Sequence, residues 1–434
     1  MEIQVRKGLV LRPRTVDEAN NIFAVIDANR AHLRQWLPWV DSTNSTDDVK
    51  AVITRWEEQE KNGSDFVFGI MENGQYVGNI GLHDIERRLD TGMIGYWLAA
   101  DAQGRGIMTD CVRAVLDFGF LGLNLNRIYI NAVVENRKSR AIPERLDFVH
   151  EGTIQDGAKL YGQFYDLTMY GMLRRNWTKN AVNGYRNSAW LYDLDNRDHL
   201  KDDIPFYLEY AERLGGNVLE LACGTGRVAL QLAAAGHMVT GLDLSYEMLA
   251  QLQMKLDGFA NADKIRTVYG NMADFQFENR FNLIIAPFRA FQALTEEADI
   301  RSCLRLVREH LTENGRFIIN VFRPYAQQLD QSWCYPETVR WEIDDGDKKV
   351  SKADWGDKID TDAQVMDVHY AFTITYADGS TERVLDDLRL KYHYEQQLRA
   401  YLAEAGFVIH EAFGWYDKSQ IENNREFIFV CGRA

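Results

Sequence analysis

The segment VLELACGTGR, residues 218–227, constrains the fold of this chain more than any other. Its first four residues predict a buried strand that carries one acid, Glu220, and the small residues after them predict a tight turn that leads into a helix. The next predicted strand, 237–245, ends in a second acid, Asp243. A carboxylate at that distance can accept two hydrogen bonds side by side from the hydroxyls of a ribose. The second half of the chain is therefore predicted to bind a cofactor that contains a nucleoside.

The spacing of the small residues decides between two kinds of nucleoside cofactor. A dinucleotide site needs G-x-G-x-x-G, with a pyrophosphate on the helix N-terminus. Here the turn is A-C-G-T-G, and the carboxylate of Glu220 just before it would repel a pyrophosphate and attract an amino group. The pattern resembles motif I (E/D-x-G-x-G-x-G) of the class I S-adenosylmethionine-dependent methyltransferases, with Ala222 in place of the first glycine. The alternative is a loop that merely connects a strand to a helix.

This resemblance implies S-adenosylmethionine as the cofactor of the second half and assigns residues to its parts. Glu220, at the start of the motif, lies near the methionine end, and Asp243 binds the ribose. The loop after the third strand contacts the adenine, with Asn271 at a position where Asp is common. The residues that the resemblance assigns to cofactor binding are Glu220, Ala222, Cys223, Gly224, Gly226, Arg227, Asp243, Leu244, Asn271, Met272 and Ala286.

The second half is predicted to form a doubly wound, Rossmann-like methyltransferase domain over residues 190–434. Strands alternate with helices from the opening motif to the segment GRFIINVF, which indicates a parallel sheet. Between about 335 and 394 the pattern changes to antiparallel strands, and Asp378-Gly379 predicts a hairpin turn there. Methyltransferases of small amines and amino sugars look similar in this insertion, which would cover the exposed face of the cofactor. The N/D-P-P-Y motif typical of DNA amino-methyltransferases is absent.

Methyl transfer is an in-line displacement at a sulfonium carbon, and it needs alignment and exclusion of water more than it needs an acid or a base. The acceptor is expected to be a small molecule with an amine or a hydroxyl group. Aromatic and basic side chains are candidates for contacting this acceptor. For each aromatic residue the alternative is packing in the core, and for the histidine the alternative is a structural role. The candidate catalytic residues are Tyr192 and His393, and the candidate substrate contacts are Phe206, Tyr207, Arg289 and Trp415.

A second glycine-bearing turn, QGRG at 103–106, lies in the first half of the chain. It follows a predicted strand, and an amphipathic helix is predicted from Ile107 onward. Free main-chain N–H groups at a helix start, together with the helix dipole, form an anion-binding site. Arg105 adds a positive charge to this turn, so the sequence predicts an anionic ligand here.

The order of segments in the first half resembles the GNAT acetyltransferase superfamily, in which a Q/R-x-x-G-x-G/A loop holds the pyrophosphate of coenzyme A. The ribosomal-protein N-acetyltransferase branch is closer still, because it shares the WLPW loop, the GYWL strand, QGRGIMT and ENRKSRAIPERLDF. Met108 replaces a small residue of the loop, and Leu146-Asp147-Phe148 replaces the usual Leu-Gly-Phe. The resemblance covers residues 1–177 and implies an α+β fold with a mixed, mostly antiparallel sheet.

This second resemblance implies acetyl-CoA as the cofactor of the first half, and a protein N-terminus or a small amine as acceptor. Ser139 would protonate the leaving thiolate, and Asn136 would hydrogen-bond the pantetheine arm. Main-chain N–H groups around Leu98 could stabilise the oxyanion. Trp36 and Trp39 are candidate acceptor contacts, with core packing as the alternative. The residues assigned to coenzyme A are Leu98, Gln103, Gly104, Arg105, Gly106, Ile107, Met108 and Asn136.

The general base of acetyl transfer is not evident from the sequence. Many members of the family carry an acid on the GYWL strand, but the corresponding residues here are Thr91-Gly92-Met93. Tyr161, Tyr165, Asp166 or a water relay could replace that acid. The alternative is that the first half does not catalyse and instead binds coenzyme A or docks a substrate for the methyltransferase.

Length and composition agree with a fusion of two such domains. The chain has 434 residues and a net charge of −15, which argues against nucleic-acid and anionic-membrane surfaces. Its five scattered cysteines form no Cys-x-x-Cys pair, so no metal site is predicted, and the start lacks the apolar core of a signal peptide. We predict a cytoplasmic, bifunctional α/β enzyme with an acetyltransferase domain at 1–177, a polar linker at 178–189 and the methyltransferase domain after it.

Overall fold

The computed structural model describes residues 1–6, 8–177, 184–185, 187–195, 202–324 and 334–434. The chain divides into two compact units, Glu2–Asn180 and Ala181–Ala434. The linker predicted at 178–189 lies largely outside the described residues. No helix among the described residues is long and apolar enough to cross a membrane.

The sheet of the N-terminal unit is mixed and mostly antiparallel, which confirms the predicted fold class. Its order is β1-β2-β3-β4-β5-β6-β8-β7, and only the β5–β6 pair is parallel. The strands are β1 (Glu2–Arg6), β2 (Leu9–Arg12), β3 (Phe66–Glu72), β4 (Gln75–Glu86), β5 (Thr91–Leu98), β6 (Arg127–Val133), β7 (Val149–Leu160) and β8 (Gln163–Leu173).

Five α-helices accompany this sheet in the described residues of the unit. They are α1 (Ala19–Ala28), α2 (Arg30–Leu33), α3 (Thr46–Lys61), α4 (Ile107–Asp117) and α5 (Arg137–Arg145). Helices α1 and α3 bury Ile22, Ile26, Val49 and Ile53 in one cluster with Trp97 of β5, because their apolar residues recur at helical spacing.

Strands β5 and β6 pair only at one end. Their parallel register joins Thr91–Met93 to Arg127–Tyr129, and no pairing between them is recorded for 94–98 in the described part of the unit. The two strands therefore diverge toward the segment that precedes α4. Main-chain groups at such a divergence are available to a ligand, since no neighbouring strand occupies them.

The C-terminal unit contains a doubly wound sheet, also as predicted. Its order is β18-β19-β13-β12-β9-β10-β11, with β9 to β13 parallel and with β19 and β18 antiparallel at one edge. The strands are β9 (Asn217–Leu221), β10 (Met238–Asp243), β11 (Ile265–Tyr269), β12 (Phe281–Ala286), β13 (Leu311–Phe322), β18 (Phe407–Phe413) and β19 (Glu426–Arg433).

The helices of this unit alternate with the parallel strands, which is the reason for the parallel order. They are α6 (Asp203–Leu214), α7 (Arg227–Ala234), α8 (Tyr246–Leu256), α9 (Glu297–His310) and α10 (Glu395–Glu404). The sheet continues from β9 to β10 on one side and to β12 on the other, so the strand order reverses beside β9. Ligands of open α/β sheets bind at such a reversal, outside the carboxyl ends of the strands.

A separate antiparallel sheet with the order β14-β15-β16-β17 is inserted between β13 and α10. Its strands are β14 (Tyr335–Asp345), β15 (Lys348–Asp360), β16 (Val365–Tyr376) and β17 (Thr381–Lys391). The residue pattern of RVLDDLRLKYHY, 383–394, predicts a strand that includes His393, but β17 ends at Lys391 and His393 lies in the connection to α10. The alternation is one of residue type and does not extend to burial, because Tyr392 and His393 are both buried and Tyr394 is exposed.

Candidate active sites

The turn between β9 and α7 has the backbone conformation that a close approach to a ligand requires. Ala222 (φ 55°), Gly224 (φ 55°) and Gly226 (φ 81°) all lie in the left-handed region. A Cβ at Gly226 would be 2.3 Å from Leu252 Cδ1, so only glycine fits there. At Gly224 a Cβ would meet nothing within 4 Å, so the turn is open on that side.

Asp243 joins the end of β10 to this turn. Its Oδ2 accepts a hydrogen bond from the Gly224 N–H at 2.7 Å, and its Oδ1 accepts one from the Ser245 N–H at 2.7 Å. Burial raises the pKa of Asp243 to about 6, although these main-chain donors act in the opposite direction. Each oxygen retains a lone pair, so the carboxylate can still accept two hydroxyl groups.

Glu220 is a buried acid with an unsatisfied oxygen. Its Oε2 has no hydrogen-bond partner among the described residues, and burial raises its pKa to about 8. An orphaned carboxylate oxygen is costly unless a donor satisfies it. The amino group of the methionine part of S-adenosylmethionine is such a donor, so the pair Glu220 and Asp243 fits this cofactor.

Ion pairs hold the segments that surround the turn. Arg227, the first residue of α7, donates two hydrogen bonds of 2.6 Å to the buried carboxylate of Asp203. Thr225 Oγ1 donates to Asp193 Oδ1 at 2.7 Å, and Lys255 donates to the Thr225 carbonyl at 2.8 Å. These contacts tie the turn to α6, α8 and the segment around 193.

The other predicted cofactor residues lie on the loops around the turn. Asn271 Oδ1 accepts a hydrogen bond from the Ala273 N–H at 2.9 Å, which leaves its amide N–H₂ for an adenine. Met272 and Leu244 are half-buried, and Ala286, at the end of β12, is fully buried. Cys223 is buried beneath the turn.

The structure divides the predicted acceptor residues into two groups. Tyr192 lies edge-on to Tyr185, with ring centroids 5.1 Å apart, and Tyr185 in turn stacks on Tyr370. Arg289 is half-exposed, and its Nε donates to buried Glu426 at 3.1 Å. The indole of Trp415 donates to Asp202 at 3.3 Å. These side chains remain accessible in part.

The remaining three predicted acceptor residues are enclosed. Phe206 and Tyr207 are buried in an aromatic cluster with Tyr416. His393 is fully buried between Phe291 and Tyr401, and neither ring nitrogen has a partner among the described residues. Burial lowers the pKa of His393 to about 4, so the ring is neutral at pH 7.

The turn before α4 is the corresponding feature of the N-terminal unit. Gly104 and Gly106 both have a φ of 76°, and a Cβ on either would meet nothing within 4 Å. The turn is exposed, whereas Ile107 and Met108 point into the core. Arg105 forms an ion pair with Glu72 at 2.9 Å. The exposed N–H groups at the start of an eleven-residue helix fit a phosphate group.

Basic side chains surround this turn. Gln103 Oε1 accepts a hydrogen bond from Lys138 at 3.0 Å, and its Nε2 lies 2.8 Å from Nε2 of His32. Leu98 ends β5 nearby in sequence and is buried. The turn is thus an exposed main-chain cradle with Arg105 and Lys138 beside it.

Ser139 and Asn136 form a small network at the start of α5. Asn136 Oδ1 accepts from the Ser139 N–H at 3.2 Å and caps the helix. Ser139 Oγ donates to the Tyr96 hydroxyl at 3.2 Å, which donates to the Ser139 carbonyl at 3.1 Å. Burial raises the pKa of Tyr96 to about 12. The sequence pattern does not single out Tyr96, although this residue belongs to the GYWL segment.

A cavity of about 690 Å³ lies between the sheet of this unit and its helices α1 and α3. Trp39, Met93, Tyr96 and Trp97 are among the residues that line it. Trp36 is half-buried and is not among the described residues of the lining. Of the two tryptophans predicted to meet an acceptor, the structure therefore places only Trp39 at this cavity.

Comparison with known proteins agrees with this geometry in the N-terminal unit. The acetyltransferase (GNAT) domain family matches residues 8–149. The Bacillus subtilis (strain 168) protein named "Putative ribosomal N-acetyltransferase YdaF" is 33% identical over 175 residues, which are 40% of this chain and 96% of that protein. The chain belongs to the GNAT acetyltransferase family. The ribosomal-protein-serine acetyltransferase of Escherichia coli (strain K12) is 25% identical over 39% of this chain and 96% of its own length.

The C-terminal unit carries the second domain of the predicted fusion. A methyltransferase domain family matches residues 218–315, from β9 into β13. The Geobacillus sp. (strain WCH70) protein named "Putative methyltransferase GWCH70_2453" is 27% identical over 51% of this chain and 87% of its own length. The chain is thus an enzyme with an acetyltransferase domain, which uses acetyl-CoA, and a methyltransferase domain, which uses S-adenosylmethionine.

Proposed function

We propose that this GNAT-family chain is a bifunctional transferase. The N-terminal unit transfers an acetyl group from acetyl-CoA to an amine, and the C-terminal unit transfers a methyl group from S-adenosylmethionine to nitrogen or oxygen of a small molecule. The observation that supports both activities is that each unit has an open, left-handed turn between a strand and a helix. One turn has two acids beside it and the other has basic side chains, which suits the two different cofactors.

In the C-terminal unit, Glu220 would accept hydrogen bonds from the amino group of the cofactor and Asp243 from its ribose. Asn271 and Met272 would hold the adenine. When bound, S-adenosylmethionine supplies an activated methyl group on a sulfonium centre. Tyr192, Arg289 and Trp415 would position the acceptor in line with that centre, since they are the predicted acceptor residues that stay partly accessible. His393 lies in the core and would act through packing.

In the N-terminal unit, the N–H groups of the 103–106 turn would hold the pyrophosphate of coenzyme A, and Asn136 would bind the pantetheine arm. When bound, acetyl-CoA supplies the acetyl thioester. The hydroxyl pair of Ser139 and Tyr96 would deliver a proton to the departing thiolate, because the two oxygens are already 3.2 Å apart. The diverging strand that ends at Leu98 would stabilise the oxyanion.

The acceptors belong to two chemical classes in this proposal. Names of the N-terminal relatives refer to ribosomal proteins, which favours a protein N-terminus, with a small amine as the alternative. For methyl transfer we propose a small amine, such as an amino sugar, or a hydroxyl compound. We also propose domain limits of 1–177 and 190–434 and a cytoplasmic location, the latter on the scattered free cysteines.

A second function for the N-terminal unit rests on one observation. The stretch Thr91-Gly92-Met93 carries no acid where the family resemblance implies one, which favours a non-catalytic domain that binds coenzyme A or docks a substrate. Turnover of acetyl-CoA separates this reading from acetyl transfer.

Calorimetric titration of the full-length protein with S-adenosylmethionine and then with acetyl-CoA tests the proposal. We expect two independent one-to-one binding events. An amine panel follows, with release of the coenzyme A thiol as the measurement. Binding of S-adenosylmethionine alone would refute the acetyl-transfer half, and binding of acetyl-CoA without thiol release would favour the docking domain.

A further inference from the structure

A histidine and an acid form a hydrogen-bonded pair in the cavity of the N-terminal unit. His83 Nδ1 lies 3.0 Å from Asp65 Oδ1, and both residues line the cavity with Trp39 and Tyr96. Asp65 is buried, and its Oδ2 accepts a second hydrogen bond from Gln59 Nε2 at 3.0 Å. The carboxylate is therefore fixed from two sides and holds the imidazole in one orientation. Nε2 of His83 has no hydrogen-bond partner among the described residues.

Two glycines make room for this imidazole. A Cβ on Gly81 would be 3.1 Å from His83 Nε2, and a Cβ on Gly95 would be 3.1 Å from His83 Cδ2. Neither glycine has a left-handed φ, so neither is required by its backbone conformation. Both glycines leave space for the ring of His83 against β4 and β5, and a Cβ on Gly81 would also meet the Phe66 carbonyl oxygen at 2.8 Å.

The strand register places His83 opposite the position of the missing acid. His83 of β4 pairs directly with Met93 of β5, and both line the cavity. Paired residues of adjacent strands project on the same side of a sheet. A base on His83 can therefore reach the space that an acid at position 93 would reach. The alternatives Tyr161, Tyr165 and Asp166 are not among the described residues that line the cavity.

We propose that His83, oriented by Asp65 and Gln59, is the general base of acetyl transfer, an inference that rests on the proposed acetyltransferase activity. Nε2 takes a proton from the acceptor ammonium, and the free amine attacks the thioester carbon. The new C–N bond forms, and the C–S bond breaks with its electron pair on sulfur. The thiolate takes a proton from the Ser139–Tyr96 pair. The nitrogen that attacked is cationic until it loses its surplus proton to solvent, and a solvent proton then restores the pair. The proton on His83 then leaves to solvent.

In the His83–Asp65 pair, a carboxylate orients a histidine so that the free ring nitrogen can accept a proton. Asp65 is a positioning residue, because it acts only through His83. The other titratable groups that line the cavity are Arg14 of the segment after β2, Arg55 of α3 and Tyr96 of β5. Arginine stays protonated and the pKa of buried Tyr96 is about 12, so neither can act as the base near pH 7.

The test measures acetylation by the full-length protein with synthetic peptides that begin with Ser and with spermidine as amine probes. For H83A we expect kcat/KM to fall by about 10²- to 10³-fold, with acetyl-CoA affinity unchanged by calorimetry. Added imidazole should restore part of the rate, and the loss of rate at low pH should disappear from the profile. His150→Ala, an exposed histidine of β7, is the matched control and should behave as the wild type.

Two further variants keep the proposal falsifiable if H83A does not fold. His83→Gln preserves the volume of the ring and should show the same loss. Adding Met93→Glu to the His83 variant should recover activity, because it supplies the acid that family members carry on this strand. If both His83 variants kept the wild-type kcat/KM and pH profile, His83 would not be the general base, while the proposed acetyl transfer would stand. A wild-type protein that binds acetyl-CoA but acetylates neither probe would overturn the proposed acetyl transfer and this base with it.

Discussion

Ala222 holds a left-handed backbone conformation (φ 55°) at the position where the methyltransferase motif has its first glycine. This conformation costs a residue with a Cβ about 1–2 kcal/mol, whereas glycine adopts it freely but loses more entropy on folding. We expect Ala222→Gly to stabilise the C-terminal unit by about 0.5–1 kcal/mol. Scanning calorimetry of the transition that S-adenosylmethionine shifts measures this. The contrasting variant Gly226→Ala should destabilise, since its Cβ would meet Leu252; a destabilising A222G would contradict the strain at Ala222.

Glu220 makes the stability of the same unit depend on pH. Its pKa is about 8 in the folded protein because of burial and near 4.3 when unfolded, so the folded state holds the extra proton between these values. Stability should therefore fall as the pH rises from about 5 to 8, because the unfolded state ionises first. S-adenosylmethionine should bind more tightly toward pH 8, when a carboxylate is available for its amino group. We expect Glu220→Gln to flatten both dependences, and unchanged slopes would remove Glu220 from the cofactor site.

The sequence alone predicts the positions of some site residues but not of others. The turn of 222–226 and the acid at Asp243 follow from a pattern that spans about 25 residues, so the strand–turn–helix form could be predicted. The pairing of His83 with Met93 depends on the register of β4 against β5, and its contact with Asp65 depends on the register of β3 against β4. Neither leaves a periodic signal, so the pair could not be found before the structure. The predicted strand at His393 was wrong because the alternation of Tyr392, His393 and Tyr394 is one of residue type, and the segment is irregular.

In the proposed acetyl-CoA site, the turn at 103–106 and helix α4 would act together as one anion-binding element. Gly106 precedes the first residue of α4 with a φ of 76° and has open space around it, so a ligand phosphate can approach the main chain. Gly106→Ala should lower acetyl-CoA affinity about tenfold, because it strains the cap and adds a methyl group at the phosphate. Gly162→Ala is a matched control, since Gly162 has a φ of 85° and open space in a hairpin away from this turn. Equal loss of affinity in both variants would show strain rather than phosphate binding.

The order of strands and helices could be predicted from the sequence better than the separation of neighbouring strands. Alternating strands and helices after residue 218 predict a parallel sheet, and the structure confirms it. The family resemblance implies a splayed strand around Leu98, and the structure parts β5 from β6 after Met93. The inserted sheet of β14 to β17 was predicted from period-two patterns and a turn at Asp378-Gly379.

Each of the two units has its own buried core and its own proposed cofactor turn, and this arrangement makes a prediction for the whole chain. A ligand stabilises the unit that binds it by about 2.7 kcal/mol at a hundred times its Kd. We therefore expect S-adenosylmethionine and acetyl-CoA to raise two different transitions of the full-length protein in scanning calorimetry. Asp243→Ala should abolish the shift by S-adenosylmethionine alone, and Gly106→Ala should reduce the shift by acetyl-CoA alone.

These two variants serve as controls for each other, because each leaves the other cofactor turn intact. The result depends on cooperativity as well as on binding. If both cofactors raised one and the same transition, the units would unfold as one, and the two sites would be coupled through the stability of the chain. If Asp243→Ala left the response to S-adenosylmethionine unchanged in a folded protein, the ribose would not lie at the end of β10. Separate shifts that each variant removes selectively would instead establish two sites that bind their cofactors independently within one chain.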